Sequence, residues 1–72
     1  MEYDKETIKG STNGYALGAR FELTNGQVWE QVDDEDDYLH QFMPEVLLET
    51  VDSVGKLKIN DMNAWVKVKR IR

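Results

Sequence analysis

The chain contains no cysteine, a single histidine (His40) and a single proline (Pro44) in 72 residues. Without cysteine there is no disulfide and no thiolate ligand or nucleophile, and one imidazole cannot assemble the usual zinc sets. No apolar run approaches the roughly 18 residues that a helical membrane span requires. The acidic start, Met1-Glu2-Tyr3-Asp4, is unlike the basic opening of a signal peptide, so a cytoplasmic location is expected. Phosphate-cradling loops are missing too: Gly10, Gly14 and Gly18 recur every fourth residue without the Lys-Ser/Thr that completes such a loop.

What remains must come from apolar packing. A chain of this length buries only roughly 60% of the surface its unfolded form exposes, and 40% of its residues are hydrophobic. Most of these are needed for the core of one domain spanning residues 1–72, before any is spared for function.

Charge is uneven along the chain. Net charge is −5, which disfavours non-specific attraction to nucleic acid or anionic membrane. Residues 1–55 carry thirteen acidic and three basic side chains, whereas 56–72 carry six basic ones (Lys56, Lys58, Lys67, Lys69, Arg70, Arg72) against Asp61 alone. Opposite charges are expected to meet across neighbouring strands; the sharper alternative is a basic patch for an acidic partner.

The strongest local signal is Thr24-Asn25-Gly26-Gln27. Asn-Gly favours a two-residue type I′ turn, flanked here by Ala19, Phe21 and Leu23 on one side and Val28 and Val32 on the other, all with period two. Such a turn pairs Leu23 with Val28, Glu22 with Trp29 and Phe21 with Glu30, which leaves Trp29 on the polar face. A covering segment, a bulge that changes the register, or exposure would each account for a tryptophan there. Further strands are expected over Tyr3 to Lys9, Val46 to Val51, Lys56 to Ile59 and Ala64 to Ile71, the last with a bulge near Lys69-Arg70 because Ile71 breaks the alternation. Trp65 shares a face with Lys67 and Lys69. The stretch 10–14 is a loop by composition. Residues 33–43 admit a short helical turn within 34–43, carrying Tyr38, Leu39, Phe42 and Met43, or a strand in which Tyr38, His40 and Phe42 alternate; the extended form is preferred.

Five short strands with tight turns, in too few residues for two layers of sheet plus helices, predict an all-β fold, a small five-stranded barrel of SH3-like size. The stretch Phe21 to Gln31, the aromatic segment Tyr38 to Val46 with Pro44, and Val66-Lys67-Val68-Lys69-Arg70-Ile71 resemble a group of short uncharacterised bacterial proteins. The likeness covers roughly residues 8–71, with the hairpin its most specific part. It implies a small SH3-like β barrel and no named activity. Asp33-Asp34-Glu35-Asp36-Asp37 departs from the group, where aromatic or neutral polar residues would stand.

No catalytic or metal-binding set is expected. Counted from Asp33 as a calcium loop, the sixth position is Tyr38 where glycine is needed, and the twelfth is Pro44 where glutamate is needed. Ser11 and Ser53 lie in no triad context and the chain is too short for a glycosidase cleft, so neither an enzyme nor a cofactor is expected. The candidate partner-binding surface is Trp29, Trp65, Lys67, Lys69, Arg70 and Arg72, either as a protein-docking face beside an open strand edge or as a stacking platform for nucleic acid. A structural, self-associating accessory domain without a ligand is a third reading.

Overall fold

The computed structural model describes residues 4–72 and contains eight strands. In chain order these are β1 (Asp4–Thr7), β2 (Ser11–Tyr15), β3 (Arg20–Glu22), β4 (Val28–Gln31), β5 (Asp37–Phe42), β6 (Glu45–Val51), β7 (Val54–Ile59) and β8 (Val66–Arg70). The all-β expectation holds, with eight strands rather than five and no helix among the described residues. The segment 33–43 takes the extended form. Tyr3, the expected start of the first strand, lies outside the described residues.

Six strands form one antiparallel sheet in the order β1-β6-β7-β8-β4-β3. It curls into a half-barrel, because right-handed twist accumulates over successive strands. The edges meet at one end. Ile8 bridges Leu23, Lys9 N–H donates to the Glu22 carbonyl at 2.7 Å, and Thr24 N–H donates to the Thr7 carbonyl at 2.9 Å. Side chains of alternate residues fill the curl: Ile8, Phe21, Leu23, Trp29, Val46, Leu48, Leu57, Ile59, Val66 and Val68, with Tyr15 and Met62 closing the ends.

The β3–β4 hairpin corrects the expected register by one residue. Phe21 pairs with Trp29 and Glu22 with Val28. The turn carries three residues: Gly26 N–H donates to the Leu23 carbonyl at 3.1 Å, and Leu23 N–H to the Gln27 carbonyl at 2.9 Å. Gly26 alone in this turn adopts a positive φ, 93°, while the Asn25 Oδ1 accepts from Gln27 N–H at 2.9 Å. This is a right-handed turn closed by a glycine bulge, not a type I′ turn that would need positive φ at Asn25 as well. One extra loop residue flips every side chain of one strand to the other face. Trp29 therefore enters the core.

Residues 10–14, expected as a loop, instead supply β2. It pairs only with β5, in a separate two-stranded ribbon whose register shifts between Thr12 and Gly14. Gly14 is required there: its φ is 94°, and a Cβ at this position would collide with the Asp37 carbonyl on β5. The C-terminal bulge also lies further along than expected. Ile71 and Arg72 N–H groups both donate to the Val28 carbonyl, at 2.7 and 3.2 Å, so the extra residue sits after β8.

Candidate functional site

The sequence-derived surface residues do not form one face. Trp29 is 2% exposed, opposite Phe21, and its indole N–H donates to Gln27 Oε1 at 3.0 Å, so its ring offers nothing to a partner. Trp65 is 38% exposed, just before β8. Lys67 and Lys69 project outward from β8, opposite Lys56 and Val54 of β7. Arg70 lies opposite Trp29 at the open end of the curl, its Nε donating to the Arg72 carbonyl at 3.1 Å. Around them, opposite charges do meet across strands: Lys69 faces Glu30, Lys56 faces Glu49, and Arg20 reaches Glu30 at 3.5 Å.

A different surface stands out on the ribbon. Tyr38, His40 and Phe42 alternate along β5 and so share one face. All three are exposed, Tyr38 and Phe42 to 74% each, in a chain with little apolar surface to spare. Ser11 lies directly opposite Phe42 on β2. Leu39 and Gln41 take the other face, where the Gln41 amide donates to the Asp61 carboxylate. Both ribbon strands have a single neighbour, so β5 presents an open edge. Sequence reasoning read this alternation as a strand but assigned it no surface role.

Immediately before the stripe lies the acidic run. Asp34, Glu35, Asp36 and Asp37 are exposed, whereas Asp33 is tied down. The Asp33 Oδ2 accepts from Lys67 N–H at 2.9 Å, and its Oδ1 accepts from the Gln31 amide at 2.9 Å. Gln31 is fully buried and acts as the hub. Its Oε1 accepts from Ala16 N–H at 3.0 Å, and its Nε2 also donates to the Glu35 carbonyl at 2.7 Å. One side chain thus fixes both the exit of β2 and the entry to the acidic run. Among the described residues no group of three or more His, Asp or Glu converges as metal ligands would.

Tyr15 anchors the same end of the ribbon, opposite Asp37. Its hydroxyl, buried under the sheet, donates to the Ala64 carbonyl at 2.7 Å and accepts from Ile59 N–H at 2.8 Å. Burial pushes its pKa up, and the nearby Asp37 and Glu35 charges push the same way, against the Ile59 hydrogen bond. With Gln31 and Tyr15 holding its roots, the ribbon is a defined platform that carries an aromatic stripe, an open edge and four exposed carboxylates.

On the outer face of the sheet, Val32, Val51 and Val54 line a shallow groove of about 420 Å³ together with Glu49, Lys56 and Lys67. All three valines are exposed. The groove's charged lining is two lysines against one glutamate, net positive where the run beside the ribbon is negative. Compared with family models, curated proteins and solved structures, the chain matches none.

Proposed function

We propose that this chain is a non-enzymatic binding module that docks an extended protein segment on the β2–β5 ribbon. The observation that carries the reading is the stripe Tyr38-His40-Phe42, exposed on an open-edged strand beside four solvent-facing carboxylates. An incoming strand takes backbone hydrogen bonds from the edge of β5, and aromatic side chains supply area at low entropic cost. The acidic run selects a segment that alternates basic with apolar residues. Within this reading the curled sheet is an SH3-like barrel, supported by its antiparallel meander and by the resemblance of residues 8–71.

A short peptide alternating lysine and valine, titrated into labelled protein, tests the reading. Amide shifts are expected to concentrate in Asp37–Phe42, to weaken with salt, and to vanish in the Tyr38→Ala/Phe42→Ala variant. A twin peptide with glutamate in place of lysine is expected not to bind. Equal binding of the two peptides, or shifts centred on β7 and β8, would overturn it.

The basic residues on β8 leave a nucleic-acid reading as the competing outcome. It requires steep, salt-sensitive binding of a single-stranded oligonucleotide through Trp65, Lys67 and Lys69. Glu30 faces Lys69 across the strands and opposes such binding.

A further inference from the structure

Lys56 and Lys67 stand directly opposite each other on adjacent strands of the outer face. Like charges at such a position are unfavourable by themselves. Glu49 lies opposite Lys56 on its other side, and just past β4 Val32 N–H bonds the Lys67 carbonyl while the Asp33 carboxylate accepts from Lys67 N–H at 2.9 Å. Neither of the two ion pairs among the described residues involves these lysines. The charged lining, Lys56 and Lys67 against Glu49, is net positive over a floor of exposed valines, which suits an occupant that is acidic and apolar at once.

The chain carries such an element itself. The ribbon presents Tyr38 and Phe42 four residues apart on an extended strand, hence about 13 Å apart. The groove runs across β6, β7, β8 and the end of β4, from Val51 through Val54 to Val32, about three strand spacings or roughly 14 Å. Spacing, polarity and charge sign all match between the two surfaces. They involve different residues of the same molecule, so one cannot fill the other's place by symmetry.

We infer that the ribbon of one copy docks in the outer groove of a second, joining copies head to tail. The inference rests on the ribbon being a docking surface and names a second copy as its occupant. Tyr38 and Phe42 seat against Val32, Val51 and Val54, while the acidic run meets Lys56 and Lys67. The contact is heterologous, so assembly grows with concentration and does not stop at a closed pair unless the rotation closes a ring. With so small a contact the association is weak, and its charged part is screened by salt.

Sedimentation velocity over a concentration series tests this directly. The wild-type coefficient is expected to rise with concentration at low salt, with association falling about tenfold at high salt. Two charge variants are each expected to stay monomeric: Asp34→Lys/Asp36→Lys, which makes the ribbon basic, and Lys56→Glu/Lys67→Glu, which makes the groove acidic. Mixed together they are expected to associate again, because each then offers what the other lacks. All four positions are exposed, and circular dichroism checks that both variants fold.

A wild-type chain that is strictly monomeric at high concentration overturns the inference, as does association that persists unchanged in either charge variant. Wild-type monomers whose groove captures a single-stranded oligonucleotide also overturn it, since the groove then serves another anion. The lysine–valine peptide separates these failures from failure of the docking reading itself: binding of that peptide at β5 by a monomeric chain removes the second copy and leaves the ribbon's role intact.

Discussion

Phe21 and Trp29 face each other across the β3–β4 hairpin, and both are sealed from solvent in the core. A paired aromatic couple of this kind contributes through area and through ring packing. Trp29→Ala is expected to cost about 3–5 kcal/mol, enough to unfold a domain of this size. Trp65→Ala is expected to cost under half as much. Acrylamide quenching gives an independent check: emission from a Trp65→Phe chain should be well shielded, and emission from Trp29→Phe clearly more accessible. Similar quenching of the two would contradict the register.

The turn that sets this register makes its own prediction. Only Gly26 has positive φ there, so Gly26→Ala is expected to destabilise by about 1 kcal/mol or more. Asn25→Ala loses just the Asn25 Oδ1 to Gln27 N–H bond, about 0.5–1 kcal/mol. A type I′ turn would penalise both for backbone strain. Urea midpoints of the two variants distinguish the geometries.

Much of the fold was legible in the sequence, and the failures have a physical pattern. Strands were readable wherever one face is buried and the other wet, as in β7, where Leu57 and Ile59 alternate with Lys56 and Lys58. The hairpin was readable from Asn25-Gly26, but two-residue and three-residue turns share that dipeptide, and the choice between them decides which face holds Trp29. β2 was unreadable because Ser11-Thr12-Asn13-Gly14 has loop composition; its place is set by Tyr15 and Gln31, both distant or buried in ways a local pattern does not encode. The ribbon's role was hidden for the opposite reason. Tyr38, His40 and Phe42 alternate like a core strand, and only the lack of a layer over them turns that pattern into a surface.

Gln31 holds the ribbon's base, and its loss should be felt at a distance. Gln31→Leu keeps the volume but strips partners from Ala16 N–H, the Glu35 carbonyl and the Asp33 carboxylate. A loss of about 1–3 kcal/mol is expected, as for buried groups left unsatisfied. Amide exchange at Ala16 and through 33–37 should accelerate more than in β6 or β7. Uniform acceleration would mean that Gln31 acts only as core volume.

Tyr15 gives the fold a pH limit. Its pKa is raised above the ordinary tyrosine value of 10.0 by burial, so the folded state favours the neutral phenol. The unfolded chain ionises first. This contribution is fully present below pH 10.0 and is lost as pH rises through the folded value. Urea stability of the wild type should therefore fall above that pH more steeply than that of Tyr15→Phe, which is less stable at neutral pH because the Ala64 carbonyl and Ile59 N–H lose their partner. Parallel pH profiles would contradict this.

Hydrogen exchange of the β5 amides, with and without the lysine–valine peptide, tests most directly whether the ribbon is a docking site. Strand addition to the open edge predicts that outward-facing amides of Asp37–Phe42 slow by about tenfold or more on saturation, with β7 and β8 unchanged. Unchanged exchange in β5 under a saturating peptide would contradict the account.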